Sequence, residues 1–158
     1  MMKKYMALFV LLFFFIAIAV FYKPTFPYPF KCYGFTEYNL IFEDNKVQLN
    51  LSQDLRVFDD QTGEISFNGR VIYNKKNMIF NRKIKLSDAS RLDSNTFKFT
   101  IKNKVKSLTD NTPDEILDVL LDEYTASQHT LQIDLNEIMN GVWVISTPTS
   151  FISVCHIY

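Results

Sequence analysis

Nothing in these residues sets a nucleophile beside a base. There is no G-x-S-x-G, no glycine-rich phosphate loop, no C-x-x-C and no H-E-x-x-H. Hydrolase elbows, nucleotide loops, dithiol redox centres and zinc-hydrolase helices therefore each lack their signature. Histidine occurs twice, as His129 and His156. His156 directly follows Cys155, so in a strand the two side chains point to opposite faces and cannot pair as base and nucleophile. The sequence predicts a protein that is not an enzyme and needs no cofactor or metal. Net charge is zero over the 158 residues. Fifteen basic residues face seventeen acidic ones once Lys3 and Lys4 are set aside. That balance gives no argument for direct nucleic-acid binding.

What the chain does have is an apolar start. Met1-Met2-Lys3-Lys4 precedes a run from Tyr5 to Tyr22 with no charge. As a helix this run would rise about 27 Å, close to a hydrocarbon core of roughly 30 Å. The two lysines predict the N-terminus inside and the remainder outside. Residues 1–22 thus read as an uncleaved signal-anchor, with residues 23–31 as a proline- and aromatic-spaced spacer and 32–158 as an exported domain. Ala17-Ile18-Ala19 also fits a cleavage site, so a cleaved signal peptide is the rival reading. Against it, the apolar run continues through Val20, Phe21 and Tyr22 with no polar region before the site.

Only two cysteines are present, Cys32 and Cys155, near the two ends of that domain. In an oxidising compartment they predict one disulfide, the alternative being two buried free thiols.

Beyond Cys32 the hydrophobic period is mostly two. Val47, Leu49 and Leu51 alternate with polar residues, as do Ile65, Phe67, Val71 and Tyr73. Phe97, Phe99, Ile101 and Val105 face opposite to Lys98, Lys102, Lys104 and Lys106, and Leu131, Ile133 and Leu135 repeat the pattern. These are half-buried strands. Turn signals fall at 59–63, 74–77, 87–95 and 140–141. The segment NTPDEILDVLLDEY breaks the period. Thr112 is placed as N-cap with Pro113 at the first helical position, and Ile116, Leu117, Leu120, Leu121 and Tyr124 form one apolar stripe. The fold class predicted is mainly β with one amphipathic helix, a small antiparallel barrel or sandwich.

Three features bear on sites. Phe67, Phe80, Phe97, Phe99 and Ile101 are predicted inward, lining either a solid core or an apolar pocket. Arg82 sits on the apolar parity of Met78, Phe80, Ile84 and Leu86. Its head either reaches water at a bulge or rim, or is buried against an anion of the fold or of a ligand. Asp114, Asp118 and Asp122 mark a solvated helix face rather than a cation site. Eleven basic and two acidic residues lie between Arg70 and Lys106, after which eight acidic and no basic residues follow. Either the acidic helix neutralises the lysine-bearing strands, or the basic face meets an acidic partner or lipid head groups.

The anchor together with FKCYG at 30–34, GEISFNGRVIY at 63–73, NRKI at 81–84, DNTPDEIL at 110–117 and TPTSFISVC at 147–155 resembles the FidL-like family of enterobacterial membrane proteins. The resemblance spans nearly the whole chain. It implies a single-pass inner-membrane protein with a periplasmic domain. That layout is similar to ToxS, the small partner of ToxR-type membrane-tethered transcription regulators. By the same analogy the domain would be a lipocalin-like barrel pairing with the regulator's periplasmic part, with a bile-salt-like or lipid ligand in a shared apolar cavity.

Overall fold

The computed structural model of the chain describes residues 13–14 and 28–158, except 43, 44, 60, 126, 128 and 149. The predicted anchor, apart from Phe13 and Phe14, and most of the spacer lie outside the described residues. Among the described residues no helix is long and apolar enough to cross a membrane.

The alternating segments become eight strands: β1 (Phe30–Phe42), β2 (Asn45–Val57), β3 (Gly63–Tyr73), β4 (Lys76–Arg91), β5 (Thr96–Lys106), β6 (Thr130–Met139), β7 (Val142–Ser146) and β8 (Phe151–Ile157). One helix, α1 (Asp114–Asp122), separates β5 from β6. Each strand pairs antiparallel with the next, and β8 returns to β1, closing a barrel. Between barrel and sandwich, the barrel is what forms. Its inner face carries the predicted apolar parity: Val47, Leu49, Leu51, Ile65, Phe67, Val71, Phe80, Ile84, Phe97, Phe99, Leu131, Ile133 and Leu135 are all buried. Turns fall where special backbone is affordable. Asn74 and Lys75, both at positive φ, form the two-residue connection of β3 to β4, and Gly141 takes φ +74° between β6 and β7.

α1 sits at the barrel end where β5 stops and β6 begins, and it buries Ile116, Leu117, Leu120 and Leu121. Tyr124, just beyond it, reaches the interior. Its ring meets Phe67 at 5.9 Å, and its hydroxyl donates to Gln53 Oε1 at 2.8 Å. The Tyr38 hydroxyl lies 2.9 Å from that of Tyr124 and accepts from Gln53 Nε2. This satisfied polar triad sits among buried apolar side chains, Phe67 included. Burial pushes the pKa of both phenols up, so they stay neutral hydrogen-bonding groups.

Four expectations need correction. β1 begins at Phe30, inside the predicted spacer, because Phe30 is buried with its ring edge-on to Trp143 at 5.1 Å. The predicted turn at 87–95 shrinks to its second half. β4 runs on to Arg91 through a bulge between Ser87 and Ser90, with Asp88 at φ 51° absorbing the irregularity. Pro113, not Thr112, occupies the cap of α1, and no side chain caps it. Finally, Val105 is exposed. Leu86 pairs with Ile101 but Lys85 with Asn103, so Lys102 is an extra residue in β5. A one-residue bulge exchanges the two faces of everything beyond it. Val105 turns outward, and Lys104 and Lys106 take the parity opposite Ile84 and Arg82, toward α1.

Candidate interaction face at the barrel seam

The residues predicted as pocket or core part company. Phe67, Phe80, Phe97 and Phe99 are fully buried. Phe67 meets Phe80 at 6.5 Å, and Phe97 stacks on Phe99 at 6.4 Å. They are packing, with their rings taken up by one another and by Tyr124. Ile101 is half-buried and opens instead on a surface hollow of about 480 Å³ between β5 and α1, shared with Lys102, Lys104, Leu121 and His129.

Arg82 is 4% exposed, so the reading of a head in water is wrong. The alternative reading holds, and the anion belongs to the fold. Arg82 Nε donates to Asp110 Oδ2 at 2.6 Å, Nη1 to Asp114 Oδ1 at 2.6 Å and Nη2 to the Thr112 carbonyl at 3.1 Å. The main-chain N–H of Asn81 and of Thr112 and the Thr112 hydroxyl complete Asp110. Thr112 is therefore spent on this cluster, which is why it does not cap α1. Burial opposes the charge on Arg82, but the bonds and fields of Asp110 and Asp114 outweigh it and its pKa rises. Burial likewise works against the Asp110 carboxylate, yet the hydrogen bonds from Thr112, Arg82 and Asn81 hold its pKa below the usual value. The clamp fastens the segment after β5 to mid-β4 and so seats α1. Lys104 pairs with Asp118 at 2.6 Å and Lys106 with Asp114 at 3.3 Å. Arg82, Lys104 and Lys106 of the basic strand block are thus neutralised by α1 and the segment before it, and two of the three spaced aspartates hold the protein's own cations.

Cys32 and Cys155 are bridged and buried, as predicted, with their Cα atoms 5.4 Å apart. They join β1 to β8 where the barrel closes. Ladder pairing there covers only Cys32 with Ile157 and Tyr33 with His156, whereas β1 pairs with β2 along its whole length. From Gly34 onward β1 has a ladder partner on its β2 side alone. A Cβ at Gly34 would run into the Val154 carbonyl oxygen, so only glycine lets β8 cross this close.

Outside this seam lies an exposed aromatic surface. Cys32 and Gly34 point inward, so Tyr33 and Phe35 point out, their rings edge-to-face at 5.2 Å and Phe35 75% exposed. With Val154, His156, Ile157 and Tyr158 they line an apolar hollow of about 470 Å³. Tyr158 is fixed at its margin. Its hydroxyl donates to Asp54 at 2.8 Å and accepts from Arg56 Nε at 3.1 Å, and the Lys31 ammonium lies 6.0 Å from its ring centre. Partial burial, then the Asp54 bond, pushes the Tyr158 pKa up. Sequence reasoning passed over this face, although the signal was in FKCYGF. Once Cys32 is taken as inward, alternation puts Tyr33 and Phe35 in solvent, which is unusual for two consecutive outward positions.

Barrel and face together define a disulfide-closed β-barrel, one helix at its end, with an exposed apolar hollow on its outer wall. The chain belongs to the FidL-like family. The family model described as FidL-like putative membrane protein matches residues 69–155, more than half of the chain. No curated protein matches it.

Proposed function

We propose that the protein is a membrane-anchored periplasmic accessory. Its barrel pairs with the exported part of a ToxR-like membrane-tethered transcription regulator, acting by binding rather than catalysis. One observation carries this reading: an exposed apolar face, centred on Phe35 and Val154, flanks a strand whose edge lacks a ladder partner from Gly34 onward. Such a surface offers a partner strand main-chain hydrogen bonds and side-chain sockets together. Anchoring both proteins in one membrane confines their search and raises their effective concentration, so a modest contact suffices. Family membership supports the membrane setting, and the packed aromatic interior favours a contact on the outer wall over a ligand deep inside the barrel.

The test is co-purification from membranes with the regulator encoded nearby. Phe35→Glu and Val154→Glu, both on the outer wall, should abolish capture while the disulfide still forms and the far-ultraviolet spectrum is unchanged. Capture that survives both substitutions overturns the proposal. So does a gene deletion that leaves the regulator's level and its target transcription unchanged under every envelope condition, bile salts included.

A second reading, a stand-alone envelope module binding an amphipathic ligand, draws on the hollow beside Ile101. There Ile101 and Leu121 are joined by Lys102, Lys104 and His129. Apolar and cationic groups side by side suit an anionic amphipath of the bile-salt type. Saturable bile-salt binding that Lys102→Glu removes, with no regulator captured, would favour this reading instead.

A further inference from the structure

Two loops at one end of the barrel are built alike. In each, an apolar residue is followed by aspartate and, three residues later, by threonine: Phe58-Asp59 with Thr62, and Leu92-Asp93 with Thr96. The Phe58 N–H donates to the Thr62 carbonyl at 3.0 Å, and the Leu92 N–H to the Thr96 carbonyl at 2.9 Å. Asp59 Oδ1 accepts from the N–H groups of Gln61 and Thr62 at 2.8 and 2.6 Å. Asp93 Oδ1 accepts from those of Asn95 and Thr96 at 2.8 and 2.9 Å. Each loop is a closed, internally bonded turn whose carboxylate is spent inside it. Each nonetheless holds a large apolar side chain in solvent, with Phe58 44% and Leu92 54% exposed.

The remaining chain ends and turns at this barrel end repeat the theme. Ile138 and Met139 (67% exposed) stand at the β6–β7 hairpin, and Tyr158 follows β8. At the opposite end the β3–β4 turn is Asn74-Lys75 and the β7–β8 connection begins Thr147-Pro148; Ile41, Ile79 and Leu108 are exposed there, but that end is the one away from the start of β1. Apolar side chains carried singly on separate loops around a rim do not form one groove. A planar apolar phase is what can meet them all at once.

The chain supplies that phase. β1 starts at this same end, with Phe30, and only the seven residues Lys23–Pro29 separate it from the apolar run Tyr5–Tyr22. Seven residues span at most roughly 25 Å, so this rim is the part of the barrel held next to the bilayer. We propose that the Phe58, Leu92, Ile138 and Met139 tips insert into the lipid interface and set the barrel upright on the membrane. This second attachment goes beyond the pairing proposed above and rests only on its anchor. The sequence at this rim sets Lys31, Arg56 and Arg91 against Asp59, Asp60, Asp93 and Glu137, so no net positive charge draws it to lipid and insertion runs on apolar burial.

The test uses the full chain reconstituted in phosphatidylcholine vesicles. Its own cysteines are bridged, so single cysteines introduced as Leu92→Cys, Met139→Cys and, at the opposite end, Lys75→Cys can carry an environment-sensitive fluorophore. At positions 92 and 139 the emission should shift to the blue and be quenched by lipids spin-labelled near the head group. Position 75 should show neither effect, and the pattern should persist in high salt. Labels at 92 and 139 as unquenched as that at 75 overturn the inference, as does quenching lost in high salt. A chain that fails to float with the vesicles removes the anchor, and the inference falls with it. Regulator capture by the same preparation reports separately on the pairing at the seam.

Discussion

Replacing Arg82 by methionine removes the guanidinium and keeps most of the aliphatic stem, so the loss isolates the charge. Asp110 would then remain, its side chain fully buried, with its countercharge gone. Removing one partner of a buried ion pair costs about 3–5 kcal/mol, because the other charge stays in a poor solvent. Three donors to Asp110 survive: the N–H of Asn81, the N–H of Thr112 and the Thr112 hydroxyl, at 2.9, 2.8 and 2.6 Å. They place the expected loss near the lower limit, about 3 kcal/mol, a large part of the ~5–15 kcal/mol that a domain has. Asp114 adds little, being largely exposed.

Urea unfolding of the detergent-solubilised chain, followed through the sole tryptophan, Trp143, measures this. Asp110→Asn and the double variant complete the cycle, and a coupling of about 1–3 kcal/mol is expected. A loss under about 1 kcal/mol for Arg82→Met, or additivity within about 0.5 kcal/mol, would refute the clamp. Acid gives an independent reading. The folded pKa of Asp110 is lowered, so its contribution is complete above the unfolded value of about 3.9 and disappears as pH falls through the folded one. Wild type should therefore lose stability below about pH 4, and Asp110→Asn should lose less over the same range.

Two further outcomes concern how neighbouring strands are held together. Reducing the Cys32–Cys155 bridge, which spans a sequence separation of 123, should lower stability by up to about 4–5 kcal/mol on chain-entropy grounds. Because both sulfurs are buried, thiol labelling should require denaturant and reductant together; labelling with denaturant alone would contradict the bridge. Gly69→Ala should cost about 1–3 kcal/mol, since its Cβ would run into the Asn50 carbonyl oxygen of β2 and a strand, not a side chain, must move. An unchanged urea midpoint for Gly69→Ala would mean that β2 and β3 do not cross as closely as described.

The strands, the helix and the disulfide were legible because each rests on a local regularity: period two, period 3.6, and a pair of thiols with no third. Closure was not, since alternation specifies which side of a strand is wet but not where the sheet ends. Gly34 and Gly69, two of four glycines, mark close crossings of neighbouring strands, and nothing about either residue in one sequence says so. Bulges were equally hidden. Lys102 reads as a normal outward residue, yet as the extra one in β5 it reverses every face after it and delivers Lys104 and Lys106 to the acidic helix. Arg82 was noticed because it broke parity. Its partners lie 28 and 32 residues away, a distance over which periodicity carries no information.

The same closure ties stability to the candidate face. Where β8 meets β1 the ladder is two residue pairs long, so main-chain hydrogen bonds alone hold that seam weakly. The disulfide lies directly beside it and fixes Cys155 against the start of β1. Gly34 then lets the Val154 carbonyl approach, and with Cys155 buried, alternation puts the Val154 side chain outward beside Phe35. The exposed aromatic surface is thus a product of how the barrel is stapled. From Gly34 on, β1 makes no ladder pair with β8, and the apolar hollow lies beside this stretch. Weak pairing at the seam, a covalent bond to compensate for it, and an apolar surface over it are three consequences of one arrangement, and for that reason binding at this face should depend on the oxidised bridge.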